Sequence, residues 1–110
     1  MIVLLVALGA AVGAPARYAI SHLLDDELPV GTLLVNVLGS TLLGFLSAVA
    51  PGEHALALLG VGLCGGFTTW SSLAVQTHDR GWSAGSRYLV LTLALAMAGC
   101  AIGFVVGTQA

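Results

Sequence analysis

Uncharged residues run along this chain in long blocks, interrupted only at Arg17, Asp25, Asp26, Glu27, Glu53, Asp79, Arg80 and Arg87. The blocks are 1–16, 28–52, 54–78 and 88–110. A helix crossing about 30 Å of hydrocarbon needs about 20 residues, so the last three suffice as they stand. The first suffices if Arg17 snorkels toward the headgroups with Tyr18 at the interface. The separators Asp25-Asp26-Glu27-Leu28-Pro29, Pro51-Gly52-Glu53 and His78-Asp79-Arg80-Gly81 are polar and helix-breaking. The pattern predicts an all-α membrane protein with four transmembrane helices, near 2–20, 30–50, 55–77 and 84–107. They form a single unit over 1–110, with no soluble domain.

Composition agrees. The 110 residues are 58% hydrophobic and 7% charged, and the mean hydropathy is +1.04. A soluble domain carries about 25% charged residues, and eight charges cannot coat so small a globule. Disorder needs the opposite composition. A net charge of -2 leaves no basic patch for nucleic acid. A cleavable leader at Ala14-Pro15-Ala16 is disfavoured, because no basic segment precedes the apolar run. Cys64 and Cys100 sit inside apolar spans and read as packing residues. His22, His54 and His78 lie near span ends without metal-ligand spacing.

Helices in lipid gain little by burying apolar surface against one another, so close approach through small residues matters more. Gly9 and Gly13, Gly62 and Gly66, and Gly99, Gly103 and Gly107 are spaced for such contacts. Four helices have little room to enclose a pathway alone, so a dimer is expected. Polar groups inside spans should face protein, water or a substrate path. Thr32 and Asn36 share one face of span two, and Tyr88 and Thr92 share one face of span four. Span three carries Gly65-Gly66-Phe67-Thr68-Thr69-Trp70-Ser71-Ser72-Leu73, and Gly66 is the midpoint of its uncharged block. Two glycines followed by two β-branched threonines predict a helix broken near mid-bilayer at the Gly-Gly step. An intact helix with hydroxyls bonded back to the preceding turn is the alternative.

No Asp, Glu, Lys or His lies deep in a span, which argues against a carboxylate site for protons or cations. Amide and hydroxyl donors with aromatic ring edges can replace the hydration shell of a small anion. The same amides and hydroxyls also accept hydrogen bonds, so on composition alone the lining suits either sign of substrate.

Three segments carry a likeness to a known family. Gly13-Ala14-Pro15-Ala16-Arg17-Tyr18, Gly31-Thr32-Leu33-Leu34-Val35-Asn36-Val37-Leu38-Gly39-Ser40 and Gly62-Leu63-Cys64-Gly65-Gly66-Phe67-Thr68-Thr69-Trp70-Ser71-Ser72-Leu73 resemble the first-, second- and third-helix signatures of the Fluc/CrcB fluoride channels. The likeness spans nearly the whole chain. It implies an antiparallel dimer in the cell membrane, with two fluoride pathways and passive efflux that keeps cytoplasmic fluoride low. It also implies a central structural sodium ion held by the backbone carbonyls of Gly65 and Thr68. Asn36 would donate its amide to fluoride, with Thr32 on the same face. Trp70, Ser71, Ser72, Tyr88 and Thr92 would continue the pathway, and Arg17 would make its vestibule electropositive.

The chain departs from the family at the two pore phenylalanines, which fall on Trp70 and Leu73. Tryptophan keeps an aromatic edge and adds an N–H donor; leucine offers neither. All three arginines also lie on the side of the 1–2 and 3–4 loops, whereas antiparallel copies insert most easily without such bias. Both features leave room for a heterodimer with a paralogous subunit beside the homodimer. A small four-helix multidrug exporter is disfavoured because no carboxylate lies inside a span. An accessory subunit would explain the packing glycines but not Asn36 and the Thr-Thr segment. No nucleophile–base pair or metal cluster for an enzyme can be assembled.

Overall fold

The computed structural model describes residues 1–110. Helix α1 spans Ile2–Leu24 and contains Pro15, and α2 spans Val30–Val49. Helix α3 covers 53–67: a turn at Glu53–Ala55, a π-helical run Leu56–Cys64 and a further turn at Gly65–Phe67. Helices α4 (Ser71–Asp79) and α5 (Gly81–Thr108) follow. Segments α3 and α4 form one span, Glu53–Asp79, so four spans are long and apolar enough to cross a membrane. The first reaches Leu24, beyond the expected 20, because the helix continues to the acidic turn.

The boundaries follow from local chemistry. Asp25 leaves the helical region (φ -76°, ψ 122°), and Pro29, lacking an N–H, stands immediately ahead of α2. At the other end of α2, Ala50 adopts a left-handed conformation (φ 49°). The following Pro51 disfavours the right-handed region there, so the helix stops. Gly81, at φ 81°, turns the chain between α4 and α5, a conformation that suits glycine.

The spans associate as two tight pairs. In the first, α1 lies on α3, and the two predicted glycine pairs meet. A Cβ added at Gly9 would stand 2.7 Å from the Leu63 backbone nitrogen, and one at Gly62 would stand 2.7 Å from the Val6 carbonyl oxygen. In the second, α2 lies on α5. There Gly44 abuts the Cys100 carbonyl, Gly103 abuts the Thr41 carbonyl, and Gly107 approaches Phe45 and Ala48. Any side chain at these positions would meet backbone, so the pairs gain close van der Waals packing only with glycine. Helix α4 rests mainly on α5. Only 20 of 110 residues are buried, as expected when most apolar side chains face lipid. The long dimension of 42 Å matches a bilayer with its headgroup regions, about 40–45 Å.

The third span is broken, as expected, but at 68–70 and not at the Gly65–Gly66 step. Gly65 keeps right-handed helical angles (φ -63°, ψ -39°), while Thr68 is extended (φ -82°, ψ 160°). Gly66 serves packing here, since a Cβ on it would lie 3.0 Å from the Ala10 Cα, whereas Gly65 has open space around it. The β-branched threonine takes the extended angles it tolerates well.

Candidate ion pathway at the broken third span

A broken helix frees backbone donors and acceptors that must find partners at membrane depth. Asn36, one-third of the way along α2, supplies them. Its Oδ1 accepts the Thr69 N–H at 2.7 Å, and its Nδ2 donates to the Thr69 carbonyl at 3.0 Å. The two bonds fix the orientation of the amide, since a flipped group would set donor against donor. Thr69 is itself buried, and its hydroxyl accepts the Ser72 N–H at 3.2 Å, capping the first turn of α4. The Ser71 hydroxyl lies 3.3 Å away. Thr68 bonds its hydroxyl back to the Cys64 carbonyl (2.9 Å), and its methyl group sits over Gly39.

Four carbonyls lose their helical partners, those of Gly65, Gly66, Phe67 and Thr68. In a continuous helix the Thr69 N–H would bond the Gly65 carbonyl; here it goes to Asn36. No backbone N–H reaches the Thr68 carbonyl. Gly65 is exposed, with open space where a side chain would be. No group of three or more His, Cys, Asp or Glu side chains could hold a metal ion. Backbone oxygens left without N–H partners at the break are of the chemical type that a hard cation takes.

The break opens into a cavity of about 560 Å³ between α2, α3, α4 and α5. Asn36, Thr92 and Trp70, all expected on the pathway, line it together with Gly65, Thr68 and Thr69. Leu43, Leu56, Val61 and Leu93 supply apolar wall, and no charged side chain contributes. Asn36 keeps one N–H beyond the bond to Thr69. Thr92 is 1% exposed, and its Oγ1 has no partner. An uncharged wall with an uncommitted Asn36 N–H is suited to a small anion, for which it supplies partial charge without a fixed counter-ion.

Other expected residues fall elsewhere. Ser71 and Ser72 line a shallower depression of about 240 Å³ with Val75 and Gln76. Thr32 and Tyr88 lie toward the 1–2 loop: the Thr32 hydroxyl donates to Asp25 Oδ2 at 2.7 Å, and the Tyr88 hydroxyl donates to the Pro29 carbonyl at 3.2 Å. Arg17 is half-buried on α1 and lines neither space. Leu73 is 2% exposed at the cavity wall, whereas Trp70 is 67% exposed. The two positions that depart from the family pattern both line the cavity, leucine buried and tryptophan largely exposed.

Sequence reasoning missed Ser40 and Ser47, which also line the cavity. With Asn36 and Leu43 they fall at i, i+4, i+7 and i+11, one stripe of α2, a period that could have disclosed them. It also missed Asp25 and Gln76, whose side chains meet across 51 residues of sequence.

A model of the CrcB-like proteins (Camphor Resistance, CrcB) matches residues 4–104. The chain belongs to this family. Among its relatives is "Fluoride-specific ion channel FluC 2" of Rhodococcus jostii, 43% identical over 94% of this chain and 96% of the relative. "Fluoride-specific ion channel FluC 1" of the same organism is 41% identical, over 96% of this chain and 84% of the relative. A Coxiella burnetii protein with the name "Fluoride-specific ion channel FluC" is 37% identical over 99% of both chains. Membership in this CrcB-like family and four spanning helices make the chain a multi-pass membrane protein.

Proposed function

We propose that this CrcB-like protein is a subunit of a fluoride-specific channel of the cell membrane that lets fluoride leave the cytoplasm passively. The observation that carries the reading is the mid-span break pinned by Asn36, opening into an uncharged cavity to which Asn36 offers a free N–H. The names of the relatives supply the ion. In this reading Asn36 and Thr92 donate to the dehydrating anion in turn, and Trp70 offers its ring edge and indole N–H. Ser71 and Ser72 extend the track along α4. Arg17 raises the potential of the aqueous approach, and Thr32 and Tyr88 shape its mouth. The chain acts as a conduit and not as an enzyme.

The subunit is completed by a second one. Gly65 is exposed and the Thr68 carbonyl has no backbone donor, an arrangement that lipid cannot satisfy. An antiparallel partner would cover this surface and bring two copies of the break together. A sodium ion between them would draw on the carbonyls of Gly65 and Thr68, whose oxygen chemistry fits a hard cation. Bound there, it would neutralise converging carbonyl dipoles and hold the two subunits in register.

A heterodimer is favoured by a separate observation. The second aromatic position is Leu73, buried in its own subunit, and Rhodococcus jostii carries two similar proteins, FluC 1 and FluC 2. A paralogous partner would supply the missing ring. The deciding measurement is fluoride efflux from liposomes holding the chain alone, and holding it with a paralogue. Efflux from the chain alone supports the homodimer; efflux only from the mixture supports the heterodimer. Efflux from neither refutes the channel reading.

A further inference from the structure

Asp25 follows the last residue of α1, and its carboxylate takes three hydrogen bonds from two distant elements. The Thr32 N–H donates to Oδ1 at 3.0 Å, and the Thr32 hydroxyl donates to Oδ2 at 2.7 Å. Gln76 Nε2, on α4, reaches the same Oδ2 at 3.4 Å and donates to Thr32 Oγ1 at 3.0 Å. Thr32 is completely buried, so its hydroxyl exchanges no bonds with water. The hydrogens therefore point one way, from Gln76 to Thr32 to Asp25. The carboxylate terminates the relay because it only accepts, and it also lies at the start of α2, where the helix dipole favours negative charge.

This relay is what fastens the free half of the broken span to α2 at its loop end. Helix α4 rests mostly on α5 and touches α2 lightly. Gln76 is the one α4 side chain that hydrogen-bonds to the 1–2 loop or to α2, and it shares the shallow depression with Ser71 and Ser72. Arg80, beyond the end of α4, adds a contact to the Glu27 carbonyl and lies over the Tyr88 ring.

We propose that Asp25 is a positioning residue: through Thr32 and Gln76 it locks α4 to the start of α2 and so holds Ser71 and Ser72 in place. The lock needs one carboxylate and one amide, and the threonine hydroxyl between them can donate in either direction. Exchanging the two groups should then reverse the relay and keep it closed. In Asp25→Asn/Gln76→Glu the introduced asparagine still accepts the Thr32 N–H and donates to Thr32 Oγ1, whose hydrogen turns to the introduced glutamate. In Gln76→Glu alone, two carboxylates compete for one hydroxyl hydrogen and repel. Asp25→Asn alone is milder, because the Gln76 amide can turn its oxygen to the hydroxyl.

The test is a double-mutant cycle read by thiol labelling of Val75→Cys, a position on α4 that is 57% exposed. A charged maleimide is applied to the full-length protein in liposomes, with the native cysteines as background. Gln76→Glu should speed labelling about tenfold by loosening α4, Asp25→Asn should do so less, and the exchange should return within about twofold of the parent. Labelling of Gln76→Glu at the parent rate overturns the lock. So does an exchanged protein that labels as fast as Gln76→Glu, or that fails to fold as Gln76→Glu does. If Gln76→Glu alone fails to fold, recovery of folded protein on exchange supports the lock. Fluoride efflux of the same proteins should follow the same order, a step that rests on the channel reading. Labelling that follows the cycle while the parent, alone and with a paralogue, conducts no fluoride refutes that reading and leaves the lock standing. A conducting parent with flat labelling does the reverse.

Discussion

The seam between α2 and α5 and the gap between α3 and α4 border the same cavity but are held by opposite means. Along the seam the backbones of both helices are continuous, and contact comes from removing side chains at Gly44, Gly103 and Gly107. Two of its hydroxyls bond back within their own helix: Thr41 to the Val37 carbonyl and Ser47 to the Leu43 carbonyl, both at 2.8 Å. At the gap the helix is discontinuous, and one side chain from another helix replaces part of what was lost. Stability at the seam is spread over many weak contacts, each sensitive to volume. At the gap it is concentrated in two directional bonds, sensitive to chemistry.

The difference is broken most severely at Asn36. Leucine there leaves the Thr69 N–H and carbonyl unpaired, at about 1–3 kcal/mol each, so Asn36→Leu should abolish recovery of folded protein or cut efflux by about 100-fold or more. Asn36→Ala should also lower efflux, less severely if water enters the space to serve Thr69. Next comes the seam: Gly103→Val should destabilise by about 1–3 kcal/mol through overpacking against the Thr41 backbone, read as a loss of thermal stability. A smaller effect belongs to Thr69→Val, which removes the cap on α4 and costs about 1 kcal/mol. Thr69→Ser should restore it. The smallest stability change is expected at Thr92→Val, which replaces an unpartnered buried hydroxyl by an apolar group of similar shape and is nearly neutral. Its fluoride efflux should nevertheless fall. Unchanged efflux there would separate Thr92 from the pathway and leave Asn36 as the cavity's principal donor.

How much was legible in advance follows the same division. The four spans were readable because charge and proline punctuate them locally. The glycine pairs were readable because the helical period alone puts Gly9 with Gly13 and Gly62 with Gly66 on common faces. The break was readable as a fact but misplaced by three residues. Its position depends on a partner 33 residues away, and no local propensity registers that. The π-helical run Leu56–Cys64 left no sequence signature, since it arises as α3 fits its glycines against α1. Asp25 read only as part of a polar, helix-breaking separator for a similar reason: its partner Gln76 is brought near only by tertiary structure. Of the expected pathway residues, the structure gathers Asn36, Trp70 and Thr92 in one cavity, the ones whose neighbours are the break itself.

The bond between Asn36 and Thr69 also sets a clock on manufacture. A ribosome adds about 5–20 residues per second, so Asn36 is synthesised some seconds before the residue that satisfies it. During that interval the second span carries an unanswered amide. The third span, for its part, can enter the bilayer as a continuous helix and part at 68–70 only once Asn36 is alongside. A break formed before Asn36 is alongside would leave the Thr69 N–H and carbonyl unpaired in the bilayer, so the order in which the spans are made bears on when it can form.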